Sequence, residues 1–335
     1  ADLGEGERRW VEQSGFKAGA GAVVTIPGPD GGIAAAVGGL GGEKDRARKR
    51  FVAAALRGKL PEGVWRFETD LSGERLQEEA LGWLLAGYRF GRYADAPAPK
   101  ADLVAPDGVD AARLEAIAAG EALARDLINT PASDMGPDEL EAAARVLAEA
   151  FGAQMSVTAG DDLLEGNFPM IHAVGRASPR APRLIDLRWG DTGPKVTLVG
   201  KGVCFDTGGL NLKPGASMGL MKIDMGGAAN VLGLAHMLMA TGAALQLRVL
   251  IPAVENSVSG AAFRPGDILN SRKGLSVEIN NTDAEGRLVL GDALALADEE
   301  TPDLILSMAT LTGAARVAVG PDLAPYYATD DGDAA

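Results

Sequence analysis

The sequence predicts an α/β protein with a small N-terminal α/β domain at residues 1–93 and a larger C-terminal α/β domain at residues 110–335 that has a central mixed sheet. Three observations predict it. Strand-like and helix-like apolar patterns alternate along the chain. A Pro/Ala-rich segment, residues 94–109, separates the two parts and is typical of a semi-rigid linker. The length of 335 residues suits about two domains, and an apolar content of 47% is enough for their cores.

The N-terminal part begins with two short apolar stretches and continues with two helical patterns. Ala22–Ile26 and Ile33–Val37 have the length and composition of strands. Glu43–Arg57 and Gly73–Tyr93 repeat apolar residues at helical spacing. The glycine-rich segment Val37–Lys44 matches neither a dinucleotide fingerprint nor a Walker A loop, so we interpret it as a strand-to-helix turn.

The C-terminal part alternates helices and strands in a longer series. Polar residues that could perform chemistry fall in loops and at strand ends, which is where sites form in open α/β sheets. The predicted elements, in chain order, are helices at Asp110–Leu127 and Asp138–Phe151, strands at Gln154–Thr158, Arg183–Trp189 and Lys195–Val199, a helix at Gly226–Thr241, a strand at Leu245–Ile251, a helix at Arg287–Glu299 and a strand at Leu304–Met308.

The segment Asn280–Leu290 is the most informative part of the chain. Asp283, Glu285 and Arg287 alternate, as they would along one side of an extended segment, and Gly286 allows the backbone to approach closely. Carboxylates directed at one point need a cation. Taken alone, the segment also fits a helix N-terminus, at which acidic residues favour the helix dipole.

Two upstream segments add further candidate ligands. Val199–Gly209 and Met221–Gly227 contain acidic residues and lysines, and Lys213 lies between the two segments. Four carboxylates gathered without metal would repel one another and raise their own pKa values, whereas two divalent ions would neutralise them. Lys213 and Arg287 remain as cations without an obvious partner. The candidate metal ligands are Lys201, Asp206, Asp224, Asp283 and Glu285.

Each of these residues also has an ordinary structural explanation. Lys201 fits a solvated strand end, Asp206 fits a turn, and Lys213 fits a loop lysine. Asp224 fits the N-cap of the helix that follows, and Met221 is the kind of residue that fills cores. The joint presence of three such segments at this spacing favours a site over several separate coincidences.

These segments closely resemble the leucyl aminopeptidase family, or cytosol aminopeptidases, which are dinuclear metallo-exopeptidases. The family signature Asn-Thr-Asp-Ala-Glu-Gly-Arg-Leu is present without change at Asn281–Leu288. The family has a separate N-terminal domain and then a linker helix, which Asp110–Leu127 could supply. The resemblance covers roughly residues 120 to 325 and includes three shorter segments, Asn129–Ser133, Arg264–Asp267 and Ala309–Ala314.

The resemblance implies two metal ions per subunit. Asp206 and Glu285 would bridge the ions, Lys201 and Asp224 would complete one site, and Asp283 would complete the other. A lysine binds metal only when it is neutral, and two adjacent divalent charges can lower its pKa far enough. The ions would be Mn or Zn, with Mg as a further candidate, because oxygen ligands with one amine suit all three.

The resemblance also implies which residues act on the substrate. Lys213 would hold the oxygen of the tetrahedral intermediate. Arg287 would anchor a bicarbonate ion that relays protons. Met221 would line the pocket for the first side chain, and the backbone of the Thr310–Gly313 segment would position the peptide. The substrate-binding residues would thus be Met221, Thr310, Leu311 and Gly313.

The implied activity is the removal of N-terminal leucine and other apolar residues from short peptides by a water that two metal ions activate. Binding of the free α-amine to one ion would restrict the reaction to chain ends. The family further implies a homohexamer whose active sites face an interior cavity. Family members continue with more helices and strands after the Thr310–Gly313 segment, so we expect a chain truncated at its C-terminus, and the start at Ala1 without Met also fits a fragment.

Two other functions fit parts of the sequence. Gly215–Gly219 matches the Gly-x-Ser-x-Gly elbow of a serine hydrolase, with Ser217 as nucleophile and His236 downstream. However, Pro214 breaks any strand leading into Ser217, and His236 precedes the acid Asp283, which reverses the expected order. The second alternative is a non-catalytic binding or assembly module with an aminopeptidase-like fold, although none of the ligands has been replaced.

Composition narrows the functional classes further. The net charge of −14 argues against general nucleic-acid or anionic-membrane binding. The two histidines, His172 and His236, lack a histidine partner at metal-ligand spacing, and the single Cys204 has no base to activate it. One cysteine cannot form a disulfide within the chain, and the sequence shows no signal peptide. We therefore expect a cytoplasmic protein, and the family resemblance implies that its partners are short peptides with a free N-terminus.

Overall fold

The computed structural model describes residues 3–46, 49–320, 322–330 and 332. The helices within them are α1 Glu5–Gln13, α2 Glu43–Arg46, α3 Ala54–Arg57, α4 Gly73–Leu85, α5 Ala111–Asn129, α6 Pro137–Phe151, α7 Asp162–Glu165, α8 Pro169–Gly175, α9 Gly215–Met218, α10 Gly226–Ala240, α11 Glu285–Asp298 and α12 Gly313–Val319. The strands are β1 Val23–Pro27, β2 Ile33–Gly38, β3 Gly63–Trp65, β4 Ala101–Leu103, β5 Gln154–Ala159, β6 Arg183–Trp189, β7 Lys195–Gly200, β8 Gly202–Asp206, β9 Gln246–Asn256, β10 Ile268–Asn270, β11 Ser276–Glu278 and β12 Leu304–Met308. Short 3₁₀ turns, Met221–Met225 and Thr282–Ala284, precede α10 and α11.

The N-terminal part contains the predicted pair of strands and a helix packed on aromatic residues. β1 pairs with β2 in antiparallel register, whereas β3 pairs with β4 in parallel. Trp83 of α4 is buried and meets Phe67 edge to face, with ring centroids 5.8 Å apart. β4 lies within the predicted linker, residues 94–109. This part of the linker is not a free connection, because its backbone pairs with β3.

The single helix predicted at Glu43–Arg57 is wrong, because the structure has the short helices α2 and α3 in its place; residues 47–48 of that prediction lie outside the described part. Phe51 precedes α3 with a φ of 58°, a left-handed conformation that cannot continue an α-helix. Phe51 packs so closely on α4 that a Cβ added at Gly82 would lie 2.7 Å from the Cβ of Phe51. Packing therefore overrides the helical pattern here.

The helix predicted at Gly73–Tyr93 ends earlier, at Leu85. Arg57 explains why. Its Nη1 donates hydrogen bonds to the carbonyl oxygens of Trp83 at 2.9 Å and Leu84 at 3.4 Å. In a longer helix the Trp83 carbonyl would accept the backbone N–H of Gly87, but that N–H donates to the Leu84 carbonyl at 2.9 Å, and the arginine satisfies the Trp83 carbonyl where the helix stops.

The C-terminal part contains a six-stranded mixed sheet, which confirms the predicted fold class. Its order is β12-β7-β9-β6-β5, and β8 pairs with the second half of β9. β12, β7, β8 and β9 are parallel to one another. β6 is antiparallel to β9, and β5 is antiparallel to β6. The sequence pattern does not predict β8, α8 or the β10–β11 hairpin, because each is too short to show a clear period.

Side chains alternate between the two faces of this sheet and form two cores. Leu198 and Val249 pack on one face with α5, α6 and α10, whereas Val199 and Leu250 pack on the other with α8 and α11. Alternation along each strand produces this division. The result is a three-layer α/β arrangement, and the carboxyl ends of the parallel strands open towards the residues that the sequence singles out.

Helix α10 is apolar nearly all round because it lies inside the fold. Gly233 approaches Gly120 of α5 so closely that a Cβ at either position would lie within 2.7 Å of the other's carbonyl oxygen. The stretch Met221–Ala240 is the one candidate membrane span by length and composition among the described residues, but 61% of it is buried within the protein. Burial against α5 and the sheet accounts for its apolar character.

Candidate metal centre

The predicted ligands lie together at the carboxyl ends of the parallel strands. Lys201 connects β7 to β8, Asp206 ends β8, and Asp224 lies in the 3₁₀ turn before α10. Asp283 lies in the 3₁₀ turn before α11, and Glu285 is the first residue of that helix. One carboxylate oxygen from each of Asp206, Asp283 and Glu285 lies within 4.8 Å of the others.

The predicted extended arrangement of Asp283, Glu285 and Arg287 is wrong. Asn281 caps this segment, because its side-chain oxygen accepts a hydrogen bond from the backbone N–H of Asp283 at 2.9 Å. Helical winding therefore begins at Thr282 and continues directly into α11. The side chains of Asp283 and Glu285 both extend from this helical segment into the cluster, whereas Arg287 is exposed.

A β-bulge brings Lys201 and Asp206 to the same side of the sheet. In a regular strand, residues five apart point to opposite faces. The pairing of β8 with β9 shifts register between Val203 and Phe205, which inserts Cys204 as one extra residue. The buried Cys204 thus sets the phase of the strand, and burial raises the pKa of its thiol well above the usual value, so the thiol stays protonated.

Lys201 is a deeply enclosed cation in the cluster. The side chain is 2% exposed, and its Nζ donates to Asp224 Oδ1 at 2.7 Å, Asp224 Oδ2 at 2.8 Å and the Thr310 carbonyl at 3.2 Å. Glu285 Oε1 lies 3.0 Å from the same nitrogen. Burial lowers the pKa of Lys201, but the charges of Glu285 and Asp224 outweigh it and hold that pKa above the usual value. The explanation as a solvated strand end is therefore wrong.

Lys213, for which the sequence shows no obvious partner, is paired in the structure. Its Nζ lies 2.8 Å from Asp206 Oδ2 and 2.6 Å from Asp283 Oδ1. Burial lowers the pKa of Lys213, but its hydrogen bonds to these carboxylates more than offset this and raise it. In contrast, Arg287 makes no hydrogen bond or ion pair with any residue that the structure describes. The ammonium of Lys213 thus stands where a cation between Asp206 and Asp283 would stand.

The donor set fits divalent metal ions. Four carboxylates, those of Asp206, Asp224, Asp283 and Glu285, surround two lysines and leave an excess of negative charge. Burial, together with the neighbouring acids Asp206 and Asp224, raises the pKa of Glu285 despite the opposing charge of Lys201. The buried Glu285 Oε2 has no hydrogen-bond partner among the described residues. Such an orphaned oxygen in an acidic cluster is the kind of group that a metal ion satisfies.

Two glycines allow the cluster to close. A Cβ at Gly286 would lie 2.6 Å from Lys201 Cε, so only glycine admits the lysine stem beside α11. Gly208 has a φ of +87°, and a Cβ there would lie 2.9 Å from Asp283 Oδ1. The sequence analysis predicts that the backbone can approach closely at Gly286. In the structure, the group that lies close to Gly286 is the Lys201 side chain.

Three polar residues that the sequence analysis does not single out support the cluster. Thr282 is fully buried, and its hydroxyl donates to the Gly208 carbonyl at 2.7 Å. Asn211 donates its backbone N–H to the Thr282 hydroxyl and accepts the Thr282 backbone N–H, each at 2.8 Å. Asn256 donates its amide to Asp206 Oδ1 at 2.8 Å. The polar interruption after the apolar run of β9 is the signal that could have indicated Asn256.

Of the four predicted substrate residues, Thr310 contacts the cluster directly. Thr310 Oγ1 donates to Asp224 Oδ1 at 2.8 Å, which leaves Asp224 engaged by two residues and not acting as the cap of α10. Met221 begins the 3₁₀ turn that carries Asp224, and Leu311 is largely exposed. Gly313 begins α12, with open space around its Cα. The structure thus brings Thr310 into direct contact with the cluster.

The serine-hydrolase alternative lacks its geometry. Ser217 is exposed on the four-residue helix α9, which follows Pro214 and not a strand. His236 lies in α10 against the edge of Phe151, with ring centroids 5.4 Å apart. His172 pairs with Asp161, with Nε2 and Oδ1 3.1 Å apart. Neither histidine has a described contact with Ser217 or with the acidic cluster.

Two family models match the chain. The catalytic domain of the cytosol aminopeptidase family matches residues 122–335, and the N-terminal domain of M17 aminopeptidases matches residues 4–106. Among curated proteins, Peptidase B of Enterobacter sp. (strain 638) is 46% identical over 215 residues, which are 62% of this chain and 50% of that protein. This chain therefore spans half the length of that relative.

Solved structures agree with these matches. The cytosol aminopeptidase from Coxiella burnetii has a TM-score of 0.87 at 45% identity, and the match covers 95% of this chain and 69% of that chain. The bottromycin maturation enzyme BotP, solved in complex with Mn, has a TM-score of 0.83 at 36% identity, and the match covers 96% of this chain and 72% of that chain. Both similarities extend over the N-terminal part and the mixed sheet.

Proposed function

The chain belongs to the cytosol aminopeptidase family, and on that premise we propose that it acts as a metal-dependent aminopeptidase. The proposed substrates are short peptides with a free N-terminus, from which leucine and other apolar residues are removed. The buried cluster of four carboxylates and two lysines carries the proposal, because it contains all five metal ligands that the family resemblance implies. The family name further supports a cytosolic protein, and family resemblance supports a homohexamer.

We assign the metal ligands as the resemblance implies. Lys201, Asp206, Asp224 and Glu285 would hold one ion, and Asp206, Asp283 and Glu285 would hold the other. The orphaned Glu285 Oε2 and the proximity of the Asp206, Asp283 and Glu285 oxygens support this assignment. Mn is the first candidate because a structural relative was solved with it, and Zn and Mg suit the same donors.

Two divalent ions, when bound, would lower the pKa of the attacking water and polarise the scissile carbonyl. The chain's own residues would do the rest. Lys213 lies at the rim of the cluster and would donate to the oxygen on which negative charge develops. Arg287 is exposed and unpaired among the described residues, so its guanidinium is available to hold a bicarbonate ion for proton transfer.

The peptide itself would be held by residues beside the cluster. Thr310, Leu311 and Gly313 follow β12, and Thr310 contacts Asp224, so the backbone groups of this segment could position the substrate. Met221 is half-buried at the start of the turn that carries Asp224, and it would contact the first side chain. An apolar contact of this kind favours leucine over charged residues.

Hydrolysis of leucine p-nitroanilide tests the proposed function. Chelator-stripped protein should be inactive, and Mn or Zn should restore activity. Asp283→Asn and Glu285→Gln should abolish the restored activity. The control Glu165→Gln replaces an exposed acid outside the cluster and should leave the restored activity unchanged. An N-acetylated substrate should resist cleavage because it lacks the free amine. Activity that survives stripping would contradict the metal mechanism, and metal-loaded protein without activity would favour the non-catalytic alternative.

A further inference from the structure

Asn256 is a buried polar residue for which the proposed mechanism has no use. It ends β9 and is 1% exposed. It lies two residues after Val254, so both side chains are on the face of β9 that packs with α11. Asp206 is its direct partner in the parallel pairing of β8 with β9, a register that depends on the bulge at Cys204. The fold therefore places an amide beside a proposed bridging carboxylate.

Both amide protons of Asn256 are used. Nδ2 donates to Asp206 Oδ1 at 2.8 Å and to the Thr282 carbonyl at 3.0 Å. The backbone N–H of Gly208 donates to the same Asp206 Oδ1 at 2.8 Å. Two donors thus hold Oδ1, and they leave Oδ2 facing the cluster, where it lies 2.8 Å from Lys213 Nζ. The amide and the Gly208 N–H together determine which oxygen of Asp206 is free to bind a cation.

The same side chain joins the two segments that carry ligands. Thr282, whose carbonyl accepts from the amide, immediately precedes Asp283. In addition, the backbone carbonyl of Asn256 accepts hydrogen bonds from Thr207, from its N–H at 3.0 Å and from its hydroxyl at 2.8 Å. One residue therefore fixes the position of Asp206 relative to Asp283.

We propose that Asn256 is a positioning residue of the metal centre, which orients Asp206 and sets its separation from Asp283. This inference rests on the proposed function, because it assumes that these carboxylates bind divalent ions. Hydrogen-bond partners of metal ligands typically change metal affinity about 10–100-fold when they are removed. An aspartate could not replace Asn256, since an ionised carboxylate has no proton to donate and would repel Asp206.

The test compares Asn256→Ala with Val249→Ala. Val249 is also 1% exposed on β9 but packs in the opposite core, about 23 Å along the strand from Asn256. Mn²⁺ is titrated calorimetrically into each chelator-stripped protein, and metal-free thermal unfolding is recorded in parallel. Asn256→Ala should raise the Kd for Mn²⁺ by about 10–100-fold. Val249→Ala should lower the unfolding temperature and leave the Kd unchanged.

A spectroscopic measurement separates positioning from loss of stability. Electron paramagnetic resonance of the Mn-loaded wild type should show an exchange-coupled pair, and Asn256→Ala should shift the signal towards isolated ions because the bridging carboxylate is no longer held. Asn256→Ser retains one donor and should give a Kd between those of the wild type and Asn256→Ala. If the alanine variant does not fold, the serine variant tests the same role.

The outcomes distinguish the two proposals. Wild-type protein that binds no Mn²⁺ would overturn the proposed function together with the role of Asn256. Wild-type protein that binds Mn²⁺, with Asn256→Ala matching it in both Kd and spectrum, would overturn the positioning role alone. An equal loss of affinity in Val249→Ala would also overturn it, because the effect would then reflect the stability of the strand.

Discussion

Replacement of Lys201 by methionine should destabilise the metal-free protein strongly. The ammonium is 2% exposed and lies 2.7 Å from Asp224 and 3.0 Å from Glu285. Removing one partner of a buried ion pair costs about 3–5 kcal/mol, because the remaining charge stays buried without compensation. For domains of this size, 1 kcal/mol changes the Tm by about 2–4 °C, so the expected fall is about 6–20 °C.

Thermal unfolding of chelator-stripped protein, followed by far-ultraviolet circular dichroism, measures this effect. Lys213→Met is the matched control, because Lys213 also contacts two carboxylates but is 15% exposed, and its partner Asp283 is 31% exposed. Water can solvate Asp283 once the lysine is gone, and the buried Asp206 keeps its hydrogen bonds from Asn256 and Gly208, so the Tm should fall by less. Equal falls for the two variants, or an unchanged Tm for Lys201→Met, would refute the reasoning that burial makes Lys201 the essential counter-charge.

Three further predictions follow from other features of the structure. Gly286→Ala should lower both the Tm in thermal unfolding and the affinity for Mn²⁺ in calorimetry, because the new Cβ would lie 2.6 Å from the Lys201 stem. The control Gly260→Ala should lower neither quantity, because there is open space around Gly260. Burial lowers the pKa of His236 below its usual value, so the unfolded state binds more protons; stability should fall as the pH drops below about 6.5, and His236→Asn should flatten a titration of Tm against pH. Arg287→Met should leave the Tm unchanged, because the side chain is exposed, yet slow leucine p-nitroanilide hydrolysis by about 10²-fold or more; normal hydrolysis would contradict its role in proton transfer.

The sequence predicts the long elements well because each shows a clear period over many residues. The strand Arg183–Trp189 has the predicted bounds, and helices α6 and α10 differ from the predictions by one residue at an end. The prediction fails where packing competes with the pattern, as at Phe51, whose left-handed backbone divides the expected helix. Local periodicity contains no information about such a contact with a helix some thirty residues later.

The site could be predicted in composition but not in connectivity. Charge makes Lys201, Asp224 and Glu285 conspicuous in the sequence, and the structure places all three in contact. The pairing of Lys213 with Asp206 and Asp283 could not be deduced, because it depends on how two loops meet at the end of the sheet. The sequence therefore indicates which charges are present, and only the fold shows which of them face one another.

The supporting residues were missed for a related reason. Asn256 and Asp206 are separated by 50 positions in the chain, and Asn211 and Thr282 by 71. Uncharged asparagines and threonines are common in turns, so nothing in their local sequence distinguishes a residue that holds a ligand from one that caps a loop. Their importance arises from the burial of the cluster, because a buried carboxylate oxygen that is not offered to a cation is stabilised by a donor from the protein. Asp206 shows this division within one side chain, since its Oδ1 is satisfied by Asn256 and Gly208 while its Oδ2 faces the cluster. A centre built in this way should lose affinity for metal when a neutral amide is removed, even though every charged ligand is still in place.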